Sequence, residues 1–177
     1  MSVQETGMSG TIRVLDILEE TMADGPGLRT SIYCAGCAHH CPGCHNPQSW
    51  DFAGGKEMSV DQLLELILDD EFSNVTFSGG DPLYQVEAFT ELSRKIKERS
   101  GKTIWCYTGF TYEEIIADER LSMMLPYLDV LVDGPFILSL RDTELLFRGS
   151  SNQRIIYLHG APDDDSIPGT VDVISAK

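Results

Sequence analysis

Four of the five cysteines fall within eleven residues, in the run Cys34-Ala-Gly-Cys37-Ala-His-His-Cys41-Pro-Gly-Cys44-His45-Asn46. Two ligand patterns coexist there. Cys34-x2-Cys37 with Cys41-x2-Cys44 offers four thiolates, the complement of a closed tetrahedral zinc site. Cys37-x3-Cys41-x2-Cys44 offers three thiolates from one loop. Three thiolates around a four-iron cluster leave one iron without a protein ligand, a Lewis-acidic position open to a small molecule. A fully ligated cluster could only relay electrons. In a reducing compartment such clustering favours metal or redox chemistry over structural disulfides. Cys106 lies in a predicted strand and reads as a small buried hydrophobe.

Other candidates are weaker one by one. Ser78-Gly79-Gly80-Asp81-Pro82 ends a predicted strand, and its paired glycines would let a ligand approach the backbone closely. Asp133, Arg148, Ser151 and Asn152 are polar residues near strand ends, where local capping bonds are the ordinary alternative. His39, His40 and His45 flank the cluster cysteines, most simply as solvent-facing or hydrogen-bonded loop histidines. Trp50 and Trp105 read as packing residues. The basic run of Arg94, Lys95, Lys97, Arg99 and Lys102 sits at a helix C-terminus and complements its dipole.

The elements that must position these residues alternate strand and helix. Leu28 to Ala35 reads as a strand, fed by the turn Asp24-Gly25-Pro26-Gly27. Ser59-Val60-Asp61-Gln62 is a capping box, and Val60, Leu63, Leu64, Ile67 and Leu68 line one face of the helix it opens. Further strands are predicted over Asn74 to Phe77, Thr103 to Tyr107, Leu128 to Val132 and Arg154 to Leu158. A helix spans about Gln85 to Arg99, and a second capping box, Thr111-Tyr112-Glu113-Glu114, opens a short one. This alternation implies βαβ units and a parallel sheet. The cysteine loop, Gly79-Gly80, Thr108-Gly109 and Asp133-Gly134 then share the face at the C-terminal strand ends, where ligands bind. About five strands in 177 residues predict an α/β fold, an open or partial (β/α) barrel rather than a closed one of ~250 residues. One domain is expected over 1–177, with its core at about 11–158 and a C-terminal tail at 159–177.

Composition narrows the class. The formal net charge is −15, which disfavours a nucleic-acid partner. Asp163, Asp164 and Asp165 read as part of a solvated acidic tail. No apolar run reaches the ~18–20 residues of a membrane span, and residues 1–10 lack the blocks of a signal peptide. A cytoplasmic protein without membrane contact is expected.

The three-cysteine spacing resembles the radical S-adenosylmethionine superfamily. Gly36 to Asn46, with Asp24-Gly25-Pro26-Gly27-Leu28-Arg29 before it and Ser78-Gly79-Gly80-Asp81-Pro82-Leu83 after it, is similar to the activating enzymes of glycyl-radical proteins. Ile104 to Gly109, Leu131 to Phe136 and Phe147 to Arg154 narrow the likeness to the branch that activates anaerobic ribonucleoside-triphosphate reductase, over roughly residues 11 to 158. The resemblance implies a [4Fe-4S] cluster on Cys37, Cys41 and Cys44, and S-adenosylmethionine bound by Gly43, Cys44, His45, Gly79, Gly80, Asp81 and Asn152. Gly80 is the first contact expected for the methionyl amino group. The superfamily usually has an aromatic residue where this chain has Gly43, so the adenine contact would fall to backbone at Gly43 to His45. Cys34 is not a family ligand.

The resemblance further implies a one-electron donor such as reduced flavodoxin or ferredoxin. The implied product is a glycyl radical on the reductase large subunit. Two rivals stand beside this reading, with a ferredoxin-like carrier a weaker third. One is an activator of another glycyl-radical enzyme such as pyruvate formate-lyase. The other is a non-catalytic zinc module built on all four clustered cysteines.

Overall fold

The computed structural model describes residues 10–159 and 170–172. One sheet organises them, with β1 (Thr11–Thr21), β2 (Arg29–Cys34), β3 (Lys56–Ser59), β4 (Asn74–Gly79), β5 (Ile104–Tyr107), β6 (Val130–Asp133), β7 (Arg154–Tyr157) and β8 (Thr170–Asp172). Its order is β3-β1-β2-β4-β5-β6-β7-β8. β2, β4, β5 and β6 run parallel. β1 is antiparallel to β2 and to β3, and β7 is antiparallel to β6. The sheet is therefore mixed and open, with edges at β3 and β8. The predicted wholly parallel, five-stranded sheet is corrected to a parallel centre with antiparallel flanks.

The helices are α1 (Val60–Asp69), α2 (Val86–Arg99), α3 (Tyr112–Ile116) and α4 (Glu119–Ser122). Both capping boxes form as expected. The Ser59 hydroxyl accepts from the Gln62 amide at 3.1 Å while Gln62 Oε1 accepts from the Ser59 amide at 2.9 Å. Thr111 and Glu114 repeat the exchange at the start of α3. Each reciprocal pair satisfies two amides that a helix start leaves without intrahelical partners.

Successive residues of a strand face opposite sides of the sheet, and two apolar clusters follow from that alternation. Ile32, Val75, Phe77, Ile104, Cys106, Leu131 and Ile156 pack with Leu63, Ile67, Phe89, Leu92 and Ile96 of α1 and α2. Trp105, Val130, Val132, Ile155 and Tyr157 form the smaller cluster, with Tyr107 and Phe147 against it. Cys106 and Trp105 are thus neighbours in the chain but members of different clusters, each a packing residue as expected.

Arg29 is buried among these strands, 1% exposed. Its guanidinium donates to Thr76 Oγ1 at 2.6 Å, to the Val75 carbonyl at 2.6 Å and to the Thr103 carbonyl at 3.3 Å. It also stands 5.4 Å from the Trp105 ring centroid. Burial lowers its pKa to about 10, so it stays charged at neutral pH. Its donors tie β2 to β4 and to the approach of β5 beneath the functional end of the sheet.

Sequence pattern missed β1, β3, β8 and α4. β1 alternates only at its start, with Ile12 and Val14 buried, and its pairing with β2 shifts register twice. β8 falls in the segment read as a tail, and it pairs parallel with β7 at Ile155↔Thr170. The fold therefore reaches beyond residue 158. The Asp163 to Asp165 run lies outside the described residues.

Phe77 is fully buried at the centre of the larger cluster, 4.9 Å from the Phe89 ring. Phe77→Ala should lower unfolding stability by about 3–5 kcal/mol, read from the midpoint of urea denaturation at unchanged m-value.

Candidate functional site

The C-terminal ends of β2, β4, β5 and β6 open onto one cavity of about 470 Å³. Cys37, Cys41 and Cys44 line it, together with His39, His45, Gly79, Gly80, Tyr107, Arg148 and Gln153. The convergence expected from the strand–helix alternation is present. β7 joins from the opposite direction, because an antiparallel strand brings its N-terminal end, and the segment before it, to the same mouth.

The cysteine loop begins as β2 ends. The Gly36 amide donates to the Ser49 carbonyl at 2.8 Å and the Cys37 amide to the Trp50 carbonyl at 3.4 Å. The loop then turns twice through the left-handed region, at His40 (φ 48°) and Gly43 (φ 77°). A Cβ on Gly43 would meet the Leu138 side chain at 2.9 Å. Gly43 thus packs beside Leu138 yet is exposed and is not part of the cavity wall, which its neighbours Cys44, His45 and Asn46 help to form. The Cys44 amide donates to the Cys41 carbonyl at 3.0 Å, and the Cys44 sulfur accepts the Asn46 amide at 3.4 Å. Burial pushes the Cys37 thiol up to about 11. A bound cation would favour its thiolate.

Three thiols around one cavity fit a polynuclear iron–sulfur cluster, which offers each of them a separate iron. Among the described residues, no three His, Cys, Asp or Glu side chains gather closely enough to hold a single ion. Cys34 is 0% exposed and packs in the larger core cluster rather than lining the cavity. Its thiol is pushed up by burial. That placement gives no support to the four-cysteine zinc pattern.

The glycine pair is pressed against protein backbone as well as lining the cavity. A Cβ on Gly79 (φ 103°) would lie 2.4 Å from the Cys34 nitrogen, and one on Gly80 would lie 2.5 Å from the Gly36 carbonyl oxygen. The Gly80 amide donates to Cys34 O at 2.7 Å and the Asp81 amide to Gly36 O at 3.0 Å. Both glycines still line the cavity. The Ser49 hydroxyl bridges Asn46 O at 2.6 Å and Gly79 O at 3.2 Å.

Asp81 is 1% exposed and does not line the cavity. Its Oδ2 lies 2.8 Å from His39 Nε2 and accepts from Thr108 Oγ1 and the Gly109 amide, both at 2.9 Å. Its Oδ1 accepts from the Leu83 amide at 3.0 Å. The expected cofactor contact is thus a carboxylate occupied by four protein donors.

Opposite the cysteine loop, Gln153 holds the mouth together. Its Oε1 accepts from the Gly149 amide at 2.9 Å and the Ser150 amide at 3.2 Å, and its Nε2 donates to Gly134 O at 3.0 Å. Asn152 donates to Pro135 O at 2.8 Å and is not part of the cavity wall. Asp133 is buried and paired with Arg154, which also grips Glu113. Arg148 lines the cavity and donates to Gln153 O at 3.2 Å. Sequence reasoning assigned no site role to Ser49, Gln153, Tyr33 or Tyr107, although Tyr107 and Gln153 stand within the segments that carried the resemblance. For Ser49 and Tyr33 the available signal was their position near the cysteine loop and at a strand end.

An α/β sheet carrying three thiols around one cavity at its strand ends is the layout of an iron–sulfur protein, and residues 23–156 match the family described as the 4Fe-4S single cluster domain. The anaerobic ribonucleoside-triphosphate reductase-activating protein of Haemophilus influenzae is 38% identical over 140 residues, covering 75% of this chain and 89% of that one. Its namesake in Escherichia coli K12 is 35% identical over 145 residues, covering 77% and 93%. The chain belongs to the family of anaerobic ribonucleoside-triphosphate reductase-activating proteins. QueE from Escherichia coli aligns over 57% of this chain and 53% of its own at 17% identity and a TM-score of 0.44, a likeness too weak to carry an argument.

Two outcomes follow. Cys34→Ala should hold as much iron as the wild type after anaerobic reconstitution while Cys41→Ala holds far less, measured by iron analysis; equal loss from both would restore the four-thiol site. The Arg154 guanidinium holds the Glu113 carboxyl at about 2, below its ordinary 4.5. A depressed carboxylate stabilises the fold above its ordinary pKa, and that contribution fades as pH falls toward about 2. Glu113→Gln should therefore flatten the acid side of a melting-temperature profile over that window. The loss of melting temperature should be greatest at neutral pH, where the wild-type carboxylate is ionised, and vanish as pH falls toward about 2; it should be small throughout, because the Glu113 side chain is 64% exposed.

Proposed function

We propose that this protein is a radical S-adenosylmethionine activating enzyme, an oxidoreductase that generates a glycyl radical on the large subunit of anaerobic ribonucleoside-triphosphate reductase. The observation that carries this reading is the meeting of Cys37, Cys41 and Cys44 with Gly79 and Gly80 around one cavity, in a chain of this family. When bound, a [4Fe-4S] cluster and S-adenosylmethionine supply one chemistry: an electron enters the sulfonium, a carbon–sulfur bond breaks, and a hydrogen atom is taken from a glycine of the partner.

The chain's own residues prepare the place for it. Cys37, Cys41 and Cys44 would hold the cluster and leave one iron to the cofactor. The carbonyls of Gly79 and Gly80 are acceptors for the methionyl ammonium, their positions set by the bonds of Gly80, Asp81 and Ser49 to neighbouring loops. Backbone at Gly43, Cys44 and His45 is the candidate surface for adenine, with Leu138 packed beside Gly43. Arg148 brings positive charge to the wall, suited to the cofactor carboxylate. Asn152 and Asp81 act from behind the wall by fixing its loops. Tyr33, Tyr107, Phe136 and Phe147 add aromatic surface to the wall.

Glycine suits the target position. With no side chain, its radical can lie planar and delocalise into both flanking peptides. The electron would come from a small reduced carrier such as flavodoxin or ferredoxin, in the cytoplasm. The chain's charge of −15 disfavours a nucleic-acid partner, and none of the described helices is long and apolar enough to cross a membrane.

Anaerobic reconstitution with iron, sulfide, S-adenosylmethionine and a reductant should release 5′-deoxyadenosine and methionine. Addition of the reductase should then produce a glycyl-radical electron paramagnetic resonance signal. A radical formed on pyruvate formate-lyase but not on the reductase would redirect the assignment. A colourless protein that turns over no cofactor would end it.

A further inference from the structure

We infer that His39, a non-ligand between two of the proposed ligands, is the positioning residue that sets the cysteine loop against the cavity. This rests on the proposed iron–sulfur reading of the loop. His39 is 17% exposed at its side chain, and its Nε2 stands 2.8 Å from Asp81 Oδ2. The ring packs edge-on against Phe110 at 4.6 Å and Tyr84 at 5.6 Å between centroids. Room for it is made by the backbone opposite, since a Cβ on Gly109 would lie 2.5 Å from His39 Cδ2. A solvent-facing loop histidine needs none of these accommodations.

The oxygen that meets His39 also accepts from Thr108 Oγ1 and the Gly109 amide, while the other oxygen of Asp81 accepts from the Leu83 amide. One buried carboxylate therefore joins the cysteine loop to the ends of β4 and β5. The next residue, His40, is held in the left-handed region at φ 48°, a conformation that a non-glycine residue keeps only where surroundings enforce it. His39 is the side chain on its N-terminal side that is anchored to the sheet. Cys37 and Cys41 stand two residues to either side of it, so its bond to Asp81 sets where both sulfurs point. Partners of this outer kind tune metal sites strongly.

The decisive comparison is His39→Gln against His39→Asn in the full chain. A Gln amide reaches about where Nε2 lies and can donate to Asp81; an Asn amide, one methylene shorter, cannot. After anaerobic reconstitution, His39→Asn should surrender iron to a chelator at about 10-fold lower concentration than the wild type, whereas His39→Gln stays close to the wild type. The electron paramagnetic resonance signal of the reduced cluster should change in His39→Asn and be restored in His39→Gln, with both iron-free forms folded by circular dichroism.

Two variants that both match the wild type would overturn the inference. So would two that are equally weak, because ring packing rather than the bond would then be responsible. His39→Asn unfolded beside a folded His39→Gln would overturn it too, placing His39 in the scaffold instead of the metal loop. A wild-type chain that takes up no iron would instead remove the iron–sulfur reading, and the inference with it.

Discussion

The cysteine loop and the Gly79-Gly80 turn touch backbone to backbone, and the rest of the site is arranged around that contact. Two amides, of Gly80 and Asp81, donate across it to Cys34 and Gly36. Parallel pairing of β2 with β4 ends at Cys34↔Gly79, so the contact continues the sheet into the loops. Any side chain at either glycine would wedge these loops apart. The proposed cluster ligands and the proposed ammonium acceptors are therefore held in one rigid frame, which is what a reaction requiring close alignment demands.

Around this frame the structure spends polar side chains on loop ends, Asp81 and Asp133 buried and Gln153 partly so. Asp81 gathers the loops after β2, β4 and β5. Asp133, with Arg154 and the Tyr112 amide, gathers β6, β7 and α3. Gln153 fastens the segment before β7 to the turn after β6. Each is satisfied by several donors or acceptors, and a fully satisfied buried network specifies one arrangement more sharply than apolar packing does. Beneath them Arg29 performs the same service between strands.

Much of this was legible in the sequence. The central strands, α1, α2 and the two capping boxes follow from apolar periodicity and end signals, and the cavity's position follows from the alternation of strand with helix. What escaped were elements whose signals are weak or remote. β1 breaks alternation at its bulges, β3 and β8 are short edge strands, and the direction of β7 depends on a crossover no local pattern records. The site divides in the same way. Three cysteines and two glycines are recognisable by spacing, because chemistry or close approach restricts those positions to few residue types. Asp81 and His39 are not, since a carboxylate beside Gly-Gly reads equally well as a ligand or as a tether. The distinction lies in which donors the fold brings within 3 Å of it.

The five thiols are sorted by depth. Cys34 and Cys106 are sealed in the hydrophobic interior, where the neutral form is strongly favoured, while the other three meet the open cleft. On the proposed reading, metal delivery would meet these three sulfurs while the two core thiols stay out of reach. On that reading too, oxidation by air would fall first on the three thiols that reach the cavity, and an oxidised molecule would lose its cluster site before its core thiols were touched.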